Sequence, residues 1–184
     1  MERRFQSRND NEYRMQIKII ESPFNEDIIS SLHVGDVISI SGNIFCGRDA
    51  VLPRICKEIE DGIWSQRGIE LQGGVIFHTA VSPAGVGPTS SNKLEIENSF
   101  ETLSKAGIKI HIGKGAIKPE TVKALAENNS VFAIIPPVTA LLESQTLERK
   151  CLAFPELGME ALYRIRVKNY QAIIAAAKGI SIYG

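Results

Sequence analysis

Short apolar runs that end at a glycine and a cation recur three times in this chain, and they restrict its fold more than any other feature. Val37 to Phe45, Gly74 to Thr79 and Ile108 to Ile112 read as strands. They lead to Gly47-Arg48-Asp49, Gly87-Pro88-Thr89-Ser90-Ser91-Asn92-Lys93 and Gly113-Lys114-Gly115. Segments of helical spacing lie among them: Ala50 to Glu60 sets Leu52, Ile55 and Ile59 on one face, and Asn92 to Ala106 stops at Gly107. A helix at Pro119 to Asn128, with Pro and Glu in its first turn, and a strand at Val131 to Ile135 continue the alternation. The pattern predicts an α/β domain, a layered sheet with flanking helices whose strands are at least partly parallel. In such sheets ligands bind outside the carboxyl ends of the strands. Strands lying side by side would therefore gather Arg48, Lys93 and Lys114 around one small anion, and cations beside a hydroxyl suit a dicarboxylate.

The remaining stretches are less regular. Residues 1–14 are polar and read as a flexible or partner-contacting arm, leaving 15–184 as a single domain. Met15 to Ile20 alternates, with Ile17 and Ile19 on one side of a strand. His33 to Asp36 is a turn, Asp61 to Gln72 a loop or small hairpin holding Trp64, and Val81 to Gly87 is broken up by Pro83, Gly85 and Gly87. Further on come a helix at Val138 to Ser144, a strand at Lys150 to Phe154, the stretch Met159 to Ile165, a polar turn at Val167 to Tyr170, the stretch Ile173 to Ala177 and a last strand at Ile180 to Tyr183.

Charge excludes one class of function. Lys plus Arg and Asp plus Glu both number 21, giving zero formal net charge without a concentrated basic face, so nucleic acid is not the expected partner. No apolar stretch approaches the roughly 20 residues of a membrane helix, and the first residues lack a signal-peptide core, so the expected location is cytoplasmic and away from membranes. Cys46, Cys56 and Cys151 are too few and too widely spaced for a disulfide framework or a metal signature. They read as reduced, buried thiols. Cys46 directly precedes Gly47-Arg48, where a guanidinium would lower its pKa, and a thiol-dependent enzyme is one alternative reading.

Each candidate site residue also has a plain structural account. Arg48 and Asp49 can form an ion pair within their loop, Lys93 can be an exposed helix-start residue, and Thr89 or Ser90 can cap the helix that follows. The weight lies in recurrence, because glycine lets the backbone approach a ligand and the two glycines around Lys114 can present backbone donors to an anion. His33, His78 and His111 are too scattered to be metal ligands, and His78, at a strand end, is the best placed of them for a role in a site.

Four segments together are similar to a known family. Ser41-Gly42-Asn43-Ile44-Phe45-Cys46-Gly47-Arg48-Asp49-Ala50, Gly87-Pro88-Thr89-Ser90, Ile112-Gly113-Lys114-Gly115 and Leu157-Gly158-Met159-Glu160-Ala161-Leu162-Tyr163-Arg164 resemble the β subunit, or C-terminal domain, of class I iron-sulfur fumarases and tartrate dehydratases. The resemblance runs in order from about Gly35 to the end. It implies a swivelling β/β/α domain that joins an α subunit carrying a 4Fe-4S cluster, in a heteromer that reversibly adds water to, or removes it from, a dicarboxylate, with fumarate and malate the usual pair. It also implies that Arg48, Lys93 and Lys114 hold substrate carboxylates, that Thr89 takes part in proton transfer, and that Asp49 and Ser90 support them. No metal ligand is expected on this chain. The family commonly has arginine where Lys93 stands, which leaves tartrate or another hydroxy-dicarboxylate open as substrate. A non-catalytic swivelling domain that binds an anion or a protein partner is the alternative from another class.

Overall fold

The computed structural model describes residues 16–89, 93–135 and 139–184, the side chains of 88, 89, 93 and 139–141 excepted. The expected arm over 1–14 lies outside these. In chain order the elements are β1 (Lys18–Glu21), α1 (Glu26–Ser30), β2 (Val37–Cys46), α2 (Leu52–Glu60), β3 (Gly74–Phe77), β4 (Thr79–Ser82), β5 (Gly85–Thr89) and α3 (Lys93–Lys105). They continue with β6 (Ile108–Gly113), α4 (Pro119–Glu127), β7 (Val131–Ile134), α5 (Thr139–Ser144), β8 (Thr146–Ala153), β9 (Leu162–Ala177) and β10 (Ile180–Ser181). The molecule is a mixed α/β structure with flanking helices, and none of the described helices is long and apolar enough to cross a membrane.

Parallel pairing runs β1-β2-β3-β6-β7, and β9 then pairs antiparallel with β7. Because β9 also pairs with β2, from Val37 opposite Ile173 to Cys46 opposite Tyr163, the strands β2, β3, β6, β7 and β9 close into a ring. Ile173 is the register partner of both Val37 and Ile134, which marks the closure. Alternation along the strands sends side chains to two different cores. Ile38, Ile40, Ile44, Val75, Phe77, Ile110, Ile112, Val131, Ala133, Ile165 and Val167 belong to one apolar cluster. Ile76 and Phe132 belong to a second, with Leu52 and Ile55 of α2, Phe100 and Leu103 of α3, and Val122 and Leu125 of α4. Tyr170 is fully buried in the first cluster, and its hydroxyl donates to the Leu142 carbonyl at 2.9 Å.

Several predicted elements differ. The polar turn expected at Val167 to Tyr170 does not form, because β9 runs straight through it as one strand of 16 residues. Lys168 and Asn169 are instead the exposed residues of a bulge opposite Ser41, with Asn169 at φ 61 and its N–H on Ser41 Oγ at 3.1 Å. The glycine-broken stretch at Val81 to Gly87 is the β4–β5 hairpin, in which Val81 faces Val86 and both are buried. Asp61 to Gln72 holds a single 3-10 turn, Trp64–Arg67, closed by Gly68 at φ 63. The expected strand starts at Lys18, so Ile17 precedes it; Ile17 and Ile19 are both exposed, and Ile20 is the residue that packs inward.

Gly42 sits where β2 bends around the bulge, at φ 101, and a Cβ there would lie 2.6 Å from Ser22 Oγ and 2.9 Å from Ser22 O. We expect Gly42→Ala to cost about 2 kcal/mol or more, through the left-handed backbone and the forced displacement of the Ser22 segment. Urea unfolding checks it: the midpoint falls while the slope is unchanged.

Candidate functional site

Register decides which loops meet. Cys46 of β2 is opposite Phe77 of β3, and Phe77 is opposite Ile112 of β6. The next residues are tied in the same row, with the Gly47 N–H on the Phe77 carbonyl at 3.1 Å and the His78 N–H on the Ile112 carbonyl at 2.9 Å. Arg48, His78 and Lys114 therefore leave the ring at the same carboxyl edge, from strands spaced about 5 Å apart. Thr89 is brought to that edge by the hairpin, since its backbone is the register partner of Thr79. Lys93 opens α3 and follows the hairpin, not the framework strand that the sequence pattern suggested. The side chains of Thr89 and Lys93, and all of Ser90, lie outside the described residues.

Arg48 is anchored where it emerges. Its Nε is 3.1 Å from Asp49 Oδ1 and 2.5 Å from Glu160 Oε1, though neither contact has hydrogen-bond alignment at that nitrogen. The ion pair within the loop is thus present, together with a second carboxylate that sequence reasoning gave no role. Glu160 arrives through the kink at Gly158 (φ 60, ψ −122), in the turn Pro155–Glu160 that leads into β9. Its signal was its place in the family-like run Leu157 to Arg164, of which no single residue stood out. Lys114, by contrast, is exposed, and among the described residues it has no ion-pair partner. The two loop glycines are closely packed: a Cβ on Gly47 would lie 2.8 Å from Val51 Cγ1, and one on Gly113 would lie 3.0 Å from Phe132 Cε2, so a side chain at either position would displace its neighbour.

Beneath this edge lies a buried histidine pair. Ser104 Oγ meets His111 Nε2 at 2.9 Å, and His111 Nδ1 meets His78 Nε2 at 3.4 Å. Both rings stack on Phe100, at centroid distances of 4.8 Å and 4.3 Å. His78 Nδ1 sits beside the Gly47 backbone without an aligned partner. Burial depresses the His78 pKa to about 3, and burial and the neighbouring ring hold His111 well below the usual histidine range. Both imidazoles are neutral at physiological pH and buttress the Arg48 and Lys114 loops from below. Cys46 offers no nucleophile: it is fully buried and burial pushes its thiol far up, which overturns the thiol-enzyme alternative. Among the described residues no group of three or more His, Cys, Asp and Glu is placed to hold a metal ion.

The family model for the fumarase C-terminus matches residues 2–184. The chain belongs to the fumarase C-terminus family. Its relatives include the L(+)-tartrate dehydratase subunit beta of Escherichia coli (strain K12), 29% identical over 172 residues, or 86% of this chain and 82% of that subunit. A putative L(+)-tartrate dehydratase subunit beta of Methanocaldococcus jannaschii is 27% identical over 170 residues, covering 84% of this chain and 85% of that protein. A putative fumarate hydratase class I of Geobacillus stearothermophilus is 29% identical over 167 residues, 84% of this chain but only 31% of that longer protein. In this fumarase C-terminus chain, the run from Ser41 to Ala50 forms the end of β2 and the Arg48 loop, and the run from Ile112 to Gly115 forms the end of β6 and the Lys114 loop.

The histidine pair gives a pH prediction with a definite sign. Unfolded imidazoles take up protons below about pH 6.5 while the folded ones stay neutral, so the unfolded state binds more protons and stability is lost as the pH is lowered, by about 1.4 kcal/mol per unit for each histidine. Urea unfolding near neutrality and again about two units lower should show this loss, and His78→Gln should roughly halve its slope.

Proposed function

We propose that this chain is the β subunit of a hydro-lyase that reversibly adds water to, or removes it from, a dicarboxylate. The observation that carries the reading is the near end-to-end match, 86% of this chain and 82% of its relative, to a protein named as a dehydratase subunit beta. The shared edge of β2, β3 and β6 supports it, because two loop cations leave the ring there and the β4–β5 hairpin brings the Thr89 backbone to it. In this reading Arg48, Lys93 and Lys114 hold the two substrate carboxylates and offset the charge that develops as a proton leaves the carbon next to one of them. Asp49 and Glu160 hold the Arg48 guanidinium in place, which reduces the entropy lost on binding. Thr89 relays the proton, helped by the surrounding positive charge, and Ser90 supports the loop. The domain is of the swivelling β/β/α kind and docks on an α subunit.

The residues of this chain do not fit an iron–sulfur cluster. Cys46 lies in one core and Cys56 in the other, where burial raises its thiol pKa to about 11. We assign the 4Fe-4S cluster to the partner α subunit. The names of the relatives admit both a fumarate or malate substrate and a tartrate substrate, since a class I fumarate hydratase and tartrate dehydratase β subunits match this chain at 29%, 29% and 27% identity.

Coexpression with a cluster-bearing α subunit tests the reading. The anaerobic complex should turn over tartrate, malate or both, and Arg48→Gln should lower kcat/KM by about 10²–10³-fold with assembly intact. An intact, cluster-loaded complex that acts on none of these, or an Arg48→Gln complex of unchanged kcat/KM, would overturn it.

A further inference from the structure

The molecule has a second cationic place, made of different residues. A cavity of about 570 Å³ is lined by Asn43 and Phe45 of β2, Lys150 of β8, Arg164 of β9, and Arg67 and Glu70 from the segment between α2 and β3. Arg67, already paired with Glu58, and Lys150 and Arg164, unpaired among the described residues, thus share the wall with the Glu70 carboxylate, one oxygen of which accepts the Gln72 N–H at 2.9 Å. The arrangement of Lys150 and Arg164 is the telling part. They are direct register partners across the antiparallel β8–β9 pair, and like charges directly opposite each other destabilise a sheet. The next pair on the same face resolves that problem, with Glu148 opposite Arg166 and an ion pair of 3.5 Å. Lys150 and Arg164 have no acidic partner among the described residues.

Arg67 is held in position from behind. Glu58 takes its Nε and Nη2, and its guanidinium lies 4.2 Å from the centroid of the Phe154 ring. A fixed guanidinium, a second planar fork on Arg164 and the point charge of Lys150 make a set suited to a compact anion with several oxygens. Ser22, Asn43 and Gln72 add neutral polar groups to the wall.

We propose that this cavity binds a small multiply charged oxyanion of the phosphate class, whose charge relieves the Lys150–Arg164 repulsion. The site shares no residue with the Arg48 and Lys114 loops and stands independently of the hydro-lyase reading.

Calorimetric titration of the full chain with inorganic phosphate at low ionic strength provides the test, with a phosphomonoester in a parallel arm. Wild type should bind phosphate saturably at one site, Lys150→Gln/Arg164→Gln should weaken binding by about tenfold or more, and Arg48→Gln should leave it unchanged. Tighter binding of the ester, lost in the same double variant, would identify a phosphoryl group on an organic molecule as the source. Thermal unfolding separates loss of the site from loss of the fold: phosphate should raise the Tm of wild type only, and in phosphate-free buffer the double variant should melt at or above the wild-type Tm. Absence of saturable heat up to about 10 mM phosphate, or binding retained in the double variant and lost in Arg48→Gln, would overturn the proposal.

Discussion

One strand holds the architecture together. Over 16 residues β9 pairs with β2 along one edge and with β8 and then β7 along the other. It turns what would be an open parallel sheet into a ring and removes two exposed edges that would otherwise need covering. The ring in turn fixes the relative heights of β2, β3 and β6, and a change of one residue in any of those registers would send every side chain of that strand to the wrong core. The position of the Arg48 and Lys114 loops is therefore a consequence of hydrogen bonds made well away from them.

Most of the individual elements were legible in the sequence because each carries a local signal. An apolar run marked β2, the spacing of Leu52 and Ile55 marked α2, and Gly107, at φ 117, ended α3 where expected. Closure was not legible, since which strand pairs with β2 is a long-range fact that no local pattern encodes. The misreading of Val167 to Tyr170 shows why. Lys168 and Asn169 look like a turn because turns expose polar residues, but a bulge exposes them just as well, and Asn169 tolerates the positive φ that it needs.

The candidate site was legible in the same uneven way. Arg48 and Lys114 stand out because each follows an apolar run and a glycine, and Val51 and Phe132 pack closely against those glycines. Glu160 and His111 did not stand out, and His78 did so only through its place at a strand end. Glu160 acts across more than a hundred positions of chain, and whether a histidine is titratable or locked neutral depends on burial that only packing reveals.

The β4–β5 hairpin is inserted between a framework strand and a helix, and neither of its strands belongs to the ring. Its length and turn can drift over evolutionary time without disturbing any ladder of the ring. Because it delivers Thr89 to the carboxyl edge, such drift would shift that residue while the scaffold beneath stays constant.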